Sequence, residues 1–102
     1  MIAIKLISEK IAEEQHDACT YAKLALEYRD ERRRLAEVFY ALSKEEVNHA
    51  SMLHAEVVRI IEEDRAKSGD PPASMRAVYE YLHGKSIEKA EEIKRYQSMF
   101  LE

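Results

Sequence analysis

Apolar residues return at three- and four-residue steps along most of this chain, which is the period of an amphipathic α-helix. The first such run starts near Ile2 and reaches about Tyr28, with Ile4, Ile7, Ile11, Ala18, Tyr21, Ala22 and Ala25 on one face. Lys5, Glu9, Glu13, His16, Lys23 and Glu27 occupy the other face. One residue interrupts the apolar side: Glu14. Arg29-Asp30-Glu31-Arg32-Arg33 is charged all round and breaks the phase, so it reads as a tight connection although it holds neither Gly nor Pro. A second helix is expected from about Arg32 to Ala66, with Leu35, Val38, Phe39, Leu42, Leu53, Val57 and Ile60 as its stripe. Two long helices joined by a short turn form an antiparallel hairpin.

Ser68-Gly69-Asp70-Pro71-Pro72 is the clearest punctuation. Gly69 can end the second helix, and the prolines forbid its continuation. The remainder reads as two short helices. The first covers roughly Ala73 to His83, with Met75, Val78, Tyr79 and Leu82 on one side, and Gly84 ends it. Ser86 suits the N-cap of the second, about Ile87 to Phe100, with Ile87, Ala90, Ile93 and Phe100 inward. No strand-like alternation survives anywhere. The expected fold class is therefore all-α: a long helical hairpin over residues 1–67 and an extension over residues 73–101, within one domain.

Composition narrows this picture. A chain of 102 residues builds only a modest core, so its apolar faces need a second subunit to cover them. Charged residues make up 35% against two Gly and two Pro, which suits helices and leaves little for hairpin turns. The net charge of −4 argues against a nucleic-acid binder, and the short Arg32-Arg33-Arg34 run reads as a solvated turn. Cys19 is the sole cysteine, so no internal disulfide forms, as in a reducing cytosol. No apolar run approaches the roughly 18 residues of a membrane span. Met1-Ile2-Ala3-Ile4-Lys5 lacks a secretion-signal pattern. A soluble cytoplasmic protein is the expectation.

The chemistry concentrates at Glu46-Val47-Asn48-His49. Residues three apart share a helix face, and here that face is the apolar one. A charged group in an apolar seam must be paired, neutralised or bound to a metal. Folding the hairpin about a turn near residues 30 and 31 brings Glu14 level with Glu46 and His49. One hairpin then presents two carboxylates and an imidazole at a single level. Two hairpins about a two-fold axis would present four Glu and two His, the donor set of a carboxylate-bridged di-metal centre.

The segment Phe39 to Ala50, with Phe seven residues before Glu46, Glu46-x-x-His49, and Ala after the His, resembles the second helix of rubrerythrins and related ferritin-like proteins. Tyr21-Ala22-Lys23 and the Ala-rich first helix add to the likeness, which covers roughly residues 7 to 60. Members of that family usually carry two such helix pairs, whereas this chain carries one. The resemblance implies a half-length member that completes a four-helix bundle by homodimerisation. It further implies that Glu46 bridges two metal ions, that His49 is a terminal ligand, and that Glu14 is the first-helix carboxylate. Glu13 is the alternative, favoured by the family's spacing to Phe39 but about 100° off the apolar stripe. The implied metal is iron, as a di-iron pair, with Mn or Zn as substitutes, and the implied reaction is Fe(II) oxidation by oxygen or peroxide, or peroxide reduction. No Cys-x-x-Cys pair is present, so the rubredoxin-like electron-transfer module of the family is missing.

Other readings compete with this one. Glu14, Glu46 and His49 could form a metal-free polar network that fixes register in a non-enzymatic dimerisation module. An iron carrier without turnover is a third reading. Glu13 and His16 form another Glu-x-x-His, on the solvated face. Glu56 borders the stripe as a spare ligand or an inter-subunit ion-pair partner, and His54 is expected at the surface or at a secondary interface. Tyr21, Tyr28, Tyr40, Met52, Met75 and Met99 read as packing residues, and Cys19 as a small buried or half-buried one.

Overall fold

Three helices account for the chain in the computed structural model, which describes residues 2–102: α1 (Ile2–Tyr28), α2 (Arg33–Ser68) and α3 (Ala73–Leu101). Met1, the first residue of the expected hairpin unit and signal-free N-terminus, lies outside the described residues. No strand occurs among them. α1 and α2 form the expected antiparallel hairpin. α3 runs back along α2 and parallel to α1, as the contacts Gln15 to Ser86 and Arg29 to Met99 require. The result is a rod of 56 × 18 × 18 Å, set by the length of α2.

The hairpin turns without Gly or Pro because its own charged residues hold it. Arg32 N–H donates to the Tyr28 carbonyl at 2.9 Å, and Ala36 N–H to the Arg32 carbonyl at 3.0 Å. Arg29 reaches across to donate to the Met99 carbonyl at 3.0 Å, where a cation also suits the C-terminal end of α3. The other connection matches its sequence. Gly69 takes φ +77°, which favours glycine, and its N–H closes α2 on the Arg65 carbonyl at 2.9 Å.

Small residues line the central seam. Ala18, Ala22 and Ala25 of α1 face Ala36, Ser43 and Ala50 of α2, and all six are buried. Their lack of bulk lets the two axes approach closely. Ile93 and Phe100 of α3, seven residues apart, lie over this seam. Ser43 joins all three helices: its hydroxyl donates to the Ala18 carbonyl at 2.7 Å and accepts from Gln97 Nε2 at 2.9 Å. Cys19 is buried as expected, with its thiol directed at Glu92, which also accepts from Lys89.

Two sequence expectations are corrected. The stripe of α2 is only partly interior: Phe39 and Leu42 are half-buried, while Leu35 is 37% and Val38 50% exposed. The small residues take the centre, so the large ones flank it. The two expected C-terminal helices are one, α3, which runs straight through Gly84. Gly84 has no positive φ, Ser86 accepts a hydrogen bond from Gln15 Nε2 instead of capping a helix, and Ile87 and Val78 face solvent. A helical Gly costs only about 1 kcal/mol against Ala, less than the packing of Ile93 and Phe100 beyond it recovers. A Cβ at Gly84 would meet open space. Gly84→Ala should therefore stabilise the fold by about 0.5–1 kcal/mol, read as a rise in the urea midpoint at unchanged slope.

Candidate metal centre

α3 covers one side of the hairpin and leaves the other open. Gln15, Cys19, Tyr40 and Val47 point towards α3. Glu14, Tyr21, Tyr28, Leu42, Glu46 and His49 lie on the opposite flank of the seam by helical phase. Phe39 sits at its edge between Tyr21 (ring centres 6.1 Å apart) and Tyr28 (6.2 Å).

Glu14, Glu46 and His49 meet on that open flank. One donor atom from each lies within 4.8 Å of the other two. His49 Nδ1 is 3.5 Å from a Glu14 oxygen and 3.6 Å from a Glu46 oxygen. Such separations are long for hydrogen bonds. They are close to the ~3.0–3.4 Å that separates neighbouring donors around one cation with bonds of about 2.1 Å. The carboxylates are sheltered, with side-chain exposures of 19% for Glu46 and 29% for Glu14, while the imidazole is 51% exposed. Two of the three side chains come from α2 at i and i+3, and the third is brought level by the register of the hairpin.

The remaining acidic candidates lie elsewhere. Glu13 is exposed and pairs with Lys10 at 3.3 Å. Glu56 accepts hydrogen bonds from Arg59, whose guanidinium holds the Glu56 carboxyl below the usual carboxylate range. Neither belongs to the cluster.

No family model matches this chain, and neither a curated protein nor a solved structure is similar enough to it to indicate a relationship. Among the described residues, no helix is long and apolar enough to cross a membrane.

Two features were not read from the sequence. Gln15, next to Glu14, is buried and donates to both the backbone and the side chain of Ser86. Its polarity disguised a position on the apolar side. His54 is half-buried and meets His83 of α3, with Nε2 and Nδ1 3.4 Å apart. The only sequence signal for this second site was a repeated spacing: Glu80-Tyr81-Leu82-His83 is another Glu-x-x-His.

Proposed function

We propose that this chain is a ferritin-like di-metal protein, with iron as its metal, whose centre is completed by a second copy. The observation that carries this reading is the convergence of Glu14, Glu46 and His49 within 4.8 Å on the face that α3 leaves open. The donor set fits the group: the four carboxylates of two copies balance the charge of two divalent cations. The same face carries apolar side chains in need of cover, among them Leu35, Val38 and, by helical phase, Leu6, which is 53% exposed. In this reading Glu46 would bridge the cations, His49 would be a terminal ligand and Glu14 would bind from the first helix. Bound Fe(II) would supply one electron from each of two ions, reducing oxygen with two protons to hydrogen peroxide, or peroxide with two protons to two waters. The protein would exclude bulk water from the centre by burying Tyr21, Phe39 and Leu42 between the two hairpins.

Metal content and assembly test this together. Protein purified without a polyhistidine tag should carry about two Fe, Mn or Zn ions per dimer by elemental analysis. Fe(II) oxidation above the uncatalysed background identifies an oxidase, whereas bound iron at background rate identifies a carrier. Val38→Lys, at a half-exposed position, should yield a monomer by light scattering and lose the metal with it. A metal-free dimer would favour the competing reading, an interaction module. One observation supports that rival: His49 Nδ1 already faces an oxygen of each carboxylate, at 3.5 and 3.6 Å.

A further inference from the structure

The second histidine cluster lies in a groove between the three helices, on the α3 side of the hairpin and away from Glu14, Glu46 and His49. The groove has a volume of about 720 Å³, a floor that includes Ile4, Ile11 and Ile61, and a mouth that carries His54, Glu80 and His83. α3 packs mainly on α1 and only sparsely on α2, and the two imidazoles join α2 to α3.

The geometry points to a binding site for a single zinc-class transition-metal cation, held by His54 Nε2 and His83 Nδ1 with Glu80 as the third protein ligand. The two nitrogens are 3.4 Å apart and the ring centres 5.3 Å apart, with the ring planes inclined by 25°. A tetrahedral cation with metal–nitrogen bonds of about 2.05 Å holds its donors ~3.4 Å apart and the ring centres ~5.2 Å apart. A linear N–H···N bond at the same nitrogen separation would put the ring centres about 5.7 Å apart. The observed separation is nearer the convergent value than the linear one. Glu80 lies one turn before His83, so both share a face of α3 and both line the groove. Its carboxylate stands outside donor distance of the pair, so binding requires Glu80 to turn towards the two rings. Two imidazoles and one carboxylate leave a fourth position for water, the pattern of an open zinc site. This donor set is richer in nitrogen than the Glu14, Glu46 and His49 cluster and so selects a borderline cation over a hard one. Bound there, the cation would clasp α3 to α2 across the groove.

The test removes the first cluster so that failure of one site is not mistaken for failure of the other. In a Glu46→Ala/His49→Ala background, titration with zinc sulfate by calorimetry should give one ion per chain and raise Tm. His54→Gln and His83→Gln, both at accessible positions and checked for retained helix by circular dichroism, should abolish that saturation. Glu80→Gln should weaken it by at least about tenfold. Absence of zinc binding in the double-variant background, or unchanged binding in any of these three variants, overturns the assignment. In that case the two rings are joined only by a hydrogen bond.

Discussion

Replacing either Glu46 or His49 with Ala should abolish stoichiometric iron, the largest functional effect expected from any single change in this chain. Glu46 is the least exposed of the three donors, at 19%, and the most costly to leave charged without a partner. His49 is the donor from which both carboxylates are measured, at 3.5 and 3.6 Å. Losing either leaves two donors per chain, too few for a closed site. Elemental analysis of the two variants beside the unaltered protein is the measurement, with Glu13→Gln and Glu56→Gln as controls that should keep their metal. Retained iron in both Ala variants rules out this centre. The metal-free reading makes a different forecast. There, loss of one partner destabilises the fold through the groups left behind. Because His49 is half-exposed, that loss should be about 1 kcal/mol or less, not the several expected of a fully buried network.

The largest effect on stability is expected at the far end of the rod. Phe100→Ala should destabilise the protein by about 3–5 kcal/mol. Phe100 is 3% exposed, packs on Ala25 and Ala36, and stacks on Tyr40 at 4.9 Å, with the Arg33 guanidinium 4.8 Å from its ring centre. The buried neighbours beneath it, Ala25 and Ala36, are too short to fill the space it leaves. Leu101→Ala, at a side chain 66% exposed, should change stability by less than about 0.5 kcal/mol. Chemical denaturation of both variants makes the comparison. Equal losses would mean that α3 is not anchored by its last turn. Because Phe100 docks the end of α3 that lies beside the hairpin turn, its loss should leave the Glu14, Glu46 and His49 cluster able to take up metal.

The cluster of Glu14, Glu46 and His49 was legible in the sequence because each of its constraints is local. Glu46 and His49 share a face by helical geometry alone. Glu14 follows once a short charged turn joins two helices, since a hairpin with a tight connection has little freedom of register. The third helix was not legible in the same way. Gly84 and Ser86 read as a stop and a start, yet a helix passes through both, because the cost of one glycine is small beside the burial of Ile93 and Phe100. Residue size misled in α2 as well. Leu35 and Val38 look like core, but Ala36, Ser43 and Ala50 hold that place because close helix contact needs small side chains.

Periodicity and turn chemistry by themselves thus determined that the chain is helical, where its hairpin bends, and which three donors come level. Only the tertiary structure decided which side of the hairpin α3 would cover. That choice rests on long-range packing: Ile93 and Phe100 over an alanine seam, Gln97 on Ser43, and Gln15 on Ser86. It also decided that Glu14, Glu46 and His49 stay open on one flank while His54 and His83 meet on the other, because contacts between residues far apart in the chain leave no periodic trace.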